Sequence, residues 1–265
     1  MVDYLYRNFP VMEEYFQHLN HYYDKIYVLS VAGATARRAL FAERFKGLEY
    51  SFFFGADKNQ FTVEEVKSNG VFSEDLTREH HRFSKTMRPG EIACSWSHRM
   101  IYEETLASHY NRVLIFEDDV VPDRTTLQKI PAILEEIPAD CELLMWGWDK
   151  NGEINFGTGF KKIIYHLQHS FGRLKWDHRV IRNLYARPFS PHLKKAGFHD
   201  YTYAYGINRS GAEKLVQMQT PIQYIADNLL AHAATKEVVK GYIVWPQVFL
   251  HDTLPDGTHR DSYIR

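Results

Sequence analysis

The sequence predicts an α/β fold, a central and mostly parallel sheet flanked by helices. Three observations lead there. Lys25-Ile-Tyr-Val-Leu-Ser30 and Tyr50-Ser-Phe-Phe-Phe54 are short apolar runs separated by a segment of helical periodicity, the spacing of a parallel strand–helix–strand unit. Val113-Leu-Ile-Phe116 and Leu143-Leu-Met-Trp146 repeat the theme, each with helical segments around it. All of these runs are short and rich in β-branched or aromatic residues, as buried strands are, although periodicity alone would also admit short buried helices.

In chain order, Val11 to Tyr22 has a loose helical pattern with many aromatics and reads as a helix covering the core. The first strand, Lys25–Ser30, ends in a small-residue turn, Val31-Ala-Gly-Ala-Thr35. Leu40, Phe41 and Phe45 then mark one stripe of a helix over residues 36–45. The second strand stops at Gly55-Ala-Asp57. Loops leaving the carboxyl ends of parallel strands commonly bind nucleotides. Ser30, Arg38 and Asp57 are therefore candidate nucleotide contacts, with capping and surface charge as the ordinary alternative. Residues 60–87 read as a polar loop with a short helix. Pro89 and Glu91 open a long helix to about Tyr110. Its Ile92, Trp96 and Met100 are predicted to face the core, with Ser97 and His98 on or beside that face; a satisfied core histidine is the default for His98.

The run Val113–Phe116 ends in Glu117-Asp118-Asp119. Read as a continuous strand, it sends Glu117 and Asp119 to one side and Asp118 to the other. Carboxylates two residues apart are separated by about 6.5 Å along a strand, close enough to approach one hard cation directly or through water. Such sites suit magnesium or manganese, especially where substrate phosphates complete the coordination. An acidic strand end in solvent is the alternative. A helix around Thr125–Ile137, ended by Pro138, and the strand Leu143–Trp146 follow.

Composition changes after that. Residues 160–195 hold nine lysines and arginines against one acid, Asp177, a net charge of +8 that leaves −9 for the rest of a chain whose total is −1. Six aromatics and four histidines are interleaved. Such a segment suits an anionic surface, a phosphorylated substrate or nucleic acid, or else is a solvated face. Regular patterning then resumes. Tyr201–Gly206 reads as a strand, Asn208 as the cap of a helix over Arg209–Met218, and residues after Pro221 as a helix with Ile225, Leu229 and Leu230 inward and Asp227 off that stripe. Gly241–Trp245 and Val248–Leu250 are late strands, the second followed by His251-Asp252.

Bulk properties set limits. At 265 residues with 45% hydrophobic and 25% charged content, the chain is that of a soluble globular protein. Its near-zero net charge gives no global case for nucleic acid or membrane. The two cysteines, Cys94 and Cys141, have no metal-type spacing and are expected as buried thiols. There is no secretory signal pattern and no uncharged apolar stretch long enough to span a bilayer, so a cytoplasmic location is expected.

Arg88-Pro-Gly-Glu-Ile-Ala-Cys-Ser-Trp-Ser-His98, followed in order by Val113-Leu-Ile-Phe-Glu-Asp-Asp-Val120, resembles the paired signatures of glycosyltransferase family 25. Ile26–Ser30 with Arg37-Arg38, and Leu48–Asp57, resemble the family's opening. Tyr203-Ala-Tyr-Gly-Ile-Asn-Arg-Ser-Gly-Ala-Glu-Lys-Leu215, with Pro221 and Ala226-Asp-Asn-Leu-Leu230, resembles its C-terminal block. The turn Val31-Ala-Gly-Ala departs from the family pattern, and residues 147–200 carry no alignable motif.

The resemblance implies a Rossmann-like GT-A fold in one domain over 1–265. Residues 24–146 would bind the nucleotide sugar, 147–200 form a basic acceptor- or membrane-facing segment, and 201–252 supply the acceptor and catalytic half. It implies an inverting transfer from UDP-galactose or UDP-glucose to a lipooligosaccharide acceptor, with manganese or magnesium. Asp119 would be the main metal ligand, with Glu117 assisting and His251 as a further ligand. Asp118, Ser97 and His98 join Ser30, Arg38 and Asp57 on the donor side. Asp227 would be the catalytic base, with Asp200, Asp149 and Asp252 as alternatives. The expected place is the inner face of the cytoplasmic membrane, held peripherally, with no nucleic-acid partner. A metal-dependent nucleotidyltransferase and a non-enzymatic module binding anionic surfaces are the competing readings.

Overall fold

A computed structural model describes residues 12–154 and 157–252. Helix α1 (Met12–Tyr22) leads into β1 (Lys25–Ser30), α2 (Thr35–Arg44) and β2 (Ser51–Phe54). Short helices α3 (Val63–Ser68) and α4 (Glu74–His80) precede the long α5 (Pro89–Ala107). Strands β3 (Arg112–Glu117) and β4 (Val120–Pro122), a 3-10 turn at Leu127–Lys129, α6 (Ile130–Glu136) and β5 (Leu143–Asp149) follow. The basic segment folds as α7 (Thr158–Ser170), α8 (His178–Arg182), β6 (Arg187–Pro188) and β7 (Leu193–Lys195). The chain then forms β8 (Asp200–Asn208), α9 (Arg209–Met218), α10 (Ala226–Thr235), β9 (Gly241–Val244) and β10 (Phe249–His251).

Eight strands make one sheet in the order β2-β1-β3-β8-β5-β9-β7-β6. Strands β2, β1, β3, β5, β9 and β6 run one way, and β8 and β7 run against them. The sheet is thus mixed and mostly parallel with helices on both faces, as the sequence predicts. The antiparallel β8 at its centre is a feature that hydrophobic patterning does not encode. The pleat sorts the core. Leu114, Phe116, Leu144 and Trp146 point to the face covered by α1, α2 and α6, while Val113, Ile115, Leu143 and Met145 point to the face covered by α5, α9 and α10. Under α2, Phe41 and Phe45 stack at 4.1 Å between centroids and both pack on Phe116.

Local chemistry sets several boundaries. Asn208 caps α9 by accepting from Gly211 N at 2.7 Å, and Thr62 with Glu65 forms a capping box on α3. In α5 only Ile92 of the three expected core residues is fully buried; Trp96 and Met100 are half-buried. The helix meets two cores on different faces, Val66 and Phe72 near its start and the sheet near Ile101 and Tyr102, so one stripe does not describe it. Residues 60–87 carry two helices where one was expected, and the basic segment extends the sheet edge through β6 and β7. Cys94 and Cys141 are free and half-buried, less enclosed than expected. No helix among the described residues is long and apolar enough to cross a membrane.

Candidate active site

The sheet register assembles the site. Leu29 pairs with Glu117 across β1 and β3, and Ser30 with Phe54 across β1 and β2, so the residues leaving all three strands meet at one carboxyl edge. Because β8 is antiparallel, its first residues, Asp200 and Tyr201, reach that same edge, and Asp149 pairs with Asp200. The small antiparallel ribbon of β4 and β10 pairs Val120 with His251, which delivers His251 beside Asp119. Gly55 allows α5 to approach the end of β2, since a Cβ there would lie 2.1 Å from Ser97 Oγ. The result is a cavity of about 690 Å³.

The strand ends at Glu117, and Asp118 and Asp119 turn toward β4. The strict alternation expected for the triplet is therefore broken, and Asp118 and Asp119 face a common partner. Arg37 of α2 lies 2.5 Å from Asp118 Oδ1 and also forms an ion pair with Asp119 Oδ2. Ser30 Oγ donates to Asp118 Oδ2 at 2.5 Å. His251 Nε2 is 3.3 Å from Asp119 Oδ2. Burial pushes the Asp118 carboxyl up, against the pull of Arg37. Burial also raises Asp119, but the His251 contact and Arg37 outweigh it and hold Asp119 below the usual carboxylate range. Glu117 is raised by burial and by the Asp119 charge. His251 is raised because Asp119 outweighs the cost of its burial.

These residues suit a hard divalent cation. Carboxylates and an imidazole supply O and N donors, and Asp119 Oδ1 is buried with no hydrogen-bond partner among the described residues. Cys94, His98 and Glu117 form another group, their ligand atoms all within 4.8 Å of one another, but a thiol is a softer donor than magnesium or manganese takes.

The other expected residues divide by position. Asp57 and Ser97 line the cavity; Asp57 Oδ1 holds its loop by accepting from Asn59 N at 2.9 Å, and Ser97 Oγ accepts from Ala56 N at 2.9 Å. Arg38 lies outside the lining: it binds Val31 O at 2.5 Å and Ala32 O at 3.0 Å and stacks on Phe52 and Phe54, so it fixes the turn after β1. His98 sits behind the cavity, its Nδ1 2.6 Å from the Tyr205 hydroxyl and its Nε2 3.8 Å from Glu117 Oε1. Burial lowers it to about 4, so it backs Glu117 as a neutral ring.

Asp227, at the start of α10, lines the cavity. Its Oδ2 accepts from Tyr201 N at 3.0 Å and its Oδ1 from Asn228 N at 2.7 Å, while burial raises it. Of the alternatives, Asp200 lines the cavity but pairs with Lys150 at 2.6 Å, Asp252 pairs with Arg44 at 2.8 Å, and Asp149 is exposed. Sequence reasoning missed Arg37 as the partner of the acidic turn, and Lys150. Lys150, Asn151 and Tyr201 all have φ near +55°, at 55°, 54° and 54°. Left-handed backbone is costly for residues with a Cβ and recurs at functional sites.

Residues 23–230 match the model of glycosyltransferase family 25, described as LPS biosynthesis protein. A glycosyltransferase 25 family member of Aedes aegypti is 26% identical over 72% of this chain, and one of Anopheles gambiae 27% over 73%. A Bos taurus protein named as a probable inactive glycosyltransferase 25 family member 3 is 26% identical over 74%. The chain spans 28% to 29% of the length of these relatives. A solved protein from STIV superposes over 89% of this chain and 94% of its own with a TM-score of 0.37 and 11% identity, too distant to bear on function. With its matched residues running from the first strand through the first turns of α10, the chain belongs to glycosyltransferase family 25.

Proposed function

We propose that the chain is a metal-dependent, inverting hexosyltransferase that moves galactose or glucose from a UDP-sugar to a lipooligosaccharide or LPS saccharide. One observation carries the reading: the acidic turn after β3 and a separate carboxylate, Asp227, line the same cavity. The family's description as an LPS biosynthesis protein supports the acceptor class.

Breaking the bond between the anomeric carbon and the diphosphate oxygen leaves negative charge on UDP, and stabilising that charge is the main electrostatic task. A bound manganese or magnesium ion supplies charge neutralisation at the diphosphate. Asp119, with its spare Oδ1, would hold it, with the neighbouring His251 and Glu117 as further ligands. Ser30 fixes Asp118, and Arg37 adds a permanent positive charge beside the same carboxylates, where it can also meet phosphate oxygens. On the other side of the reaction, Asp227 takes the proton of the acceptor hydroxyl as its oxygen bonds to the anomeric carbon opposite the departing UDP. Its raised pKa makes it a better base, and its three hydrogen bonds aim it.

A screen of nucleotide sugars with truncated oligosaccharide acceptors, with and without manganese, tests the reading through released UDP. Metal-dependent UDP release from UDP-galactose or UDP-glucose is expected. Release of pyrophosphate would show a nucleotidyltransferase, and no turnover with any donor would overturn the proposal.

A further inference from the structure

Helix α7 is built inside out. Phe160, Ile163, Ile164, Leu167 and Phe171 recur at the spacing of one helical face, an arc of about 100° at 3.6 residues per turn. Such a stripe ordinarily faces the core. Here it faces solvent, with exposures of 69%, 58%, 37%, 55% and 78%. The opposite, polar side of α7 packs inward instead. Lys162 Nζ donates to Arg182 O at 2.7 Å, His166 meets His178 at 2.8 Å, and Tyr165 sits edge-on to Trp176 at 5.9 Å between centroids. Thr158 is the only fully buried residue of the helix.

A contiguous exposed apolar stripe marks an interaction surface, and the surrounding charge selects its occupant. Lys161 is exposed beside the stripe, Arg173 and Lys175 are exposed just past Phe171, and the segment carries +8 while the remainder carries −9. Apolar side chains rimmed by lysine and arginine match a bilayer surface with anionic headgroups, where the rings enter the acyl boundary and the cations meet the headgroups. A second copy of this chain would have to bring its own basic rim against the same charges. The location is also productive: Trp176, against which α7 packs, lines the active-site cavity, so the stripe lies about one helix diameter of 10 Å from it.

We propose that α7 docks this protein on an anionic bilayer by inserting the Phe160–Phe171 stripe, presenting the cavity to an acceptor carried by lipid. The docking stands on the exposed stripe and its basic rim; only the acceptor rests on the proposed activity.

Co-sedimentation with phosphatidylglycerol–phosphatidylcholine vesicles, against phosphatidylcholine alone, tests it. The protein is expected to pellet with the anionic vesicles in a salt-sensitive way. Phe160→Ser with Leu167→Ser removes two inserting side chains and is expected to weaken binding at least about tenfold, and Lys161→Glu several-fold. Because these side chains are exposed, circular dichroism, melting temperature and UDP release with a soluble acceptor should stay at parental values, which separates loss of docking from loss of fold or of activity. Phe160→Trp should show a blue-shifted emission on anionic vesicles. Parental protein that stays in the supernatant, or a double variant that binds as well as the parent, overturns the proposal. So does a lipid-free dimer in sedimentation velocity that the double variant dissociates without any vesicle binding.

Discussion

Replacing Arg37 by glutamine should expose how the acidic turn is balanced. The guanidinium pairs with both Asp118 and Asp119, and the three side chains are only 17%, 5% and 11% exposed. Removing one partner of a largely buried ion pair costs about 3–5 kcal/mol, because the remaining charge stays desolvated. Asp118 keeps Ser30 and Asp119 keeps His251, so the lower end applies, about 3 kcal/mol. For a chain of this size that corresponds to a melting temperature lower by roughly 6–12 °C. The measurement is thermal unfolding in chelator, repeated with manganese. Since a cation bound to Asp119 would replace part of the lost positive charge, manganese should raise the variant's melting temperature more than the parent's. A variant that melts within about 2 °C of the parent, a shift worth under about 1 kcal/mol, would show that Arg37 does not balance the acidic turn, as would identical manganese shifts in both proteins.

Asp119→Asn should lower the rate of UDP release by at least about 10²-fold, the usual size for deleting an electrostatic stabiliser; a near-parental rate would overturn the proposed role of Asp119 as a metal ligand. Gly55→Ala places a methyl 2.1 Å from Ser97 Oγ and should cost about 1–3 kcal/mol in urea unfolding. His199 and His232 are held at about 4 and about 3 by burial. Their folded pKa values lie below the unfolded value of about 6.5, so the unfolded chain binds more protons as pH falls from there. Stability should therefore be full above pH about 6.5 and decline toward pH 4, by about 1.4 kcal/mol per pH unit for each ring. His232→Gln should reduce that slope by about one proton in urea titrations at several pH values; an unchanged slope would contradict the assignment.

Local signals in the chain were legible. The runs 25–30, 113–116 and 143–146, the Asn208 cap and the helix after Pro221 all follow from patterns within a few residues, and the structure places each as read. What was not legible depends on how distant elements meet. Arg37 and Arg38 are neighbours in sequence but about 100° apart around α2, and only the docking of that helix on β1 sends the first into the cavity and the second to the turn. The pairing of Asp118 with Asp119 around Arg37 arises because the strand stops at Glu117, two residues before a continuous reading through Asp119 would require. His251 reaches Asp119 through the β4–β10 pairing, a contact no local pattern records. Lys150 enters the site because β8 is antiparallel and brings Asp200 back to the end of β5. The apolar stripe of α7 was present in the sequence, but its periodicity is that of an inward face, and its outward direction is set by the polar contacts on the opposite side.

In the proposed mechanism the acidic turn would hold the metal and diphosphate while Asp227 serves chemistry alone. Calorimetric titration with UDP and manganese, in the parent, Asp119→Asn and Asp227→Asn, tests that division most directly. UDP is expected to bind the parent in a manganese-dependent way, Asp119→Asn to lose this binding, and Asp227→Asn to bind UDP as the parent does while failing to turn over. Manganese-independent binding, or parental binding in Asp119→Asn, would contradict it.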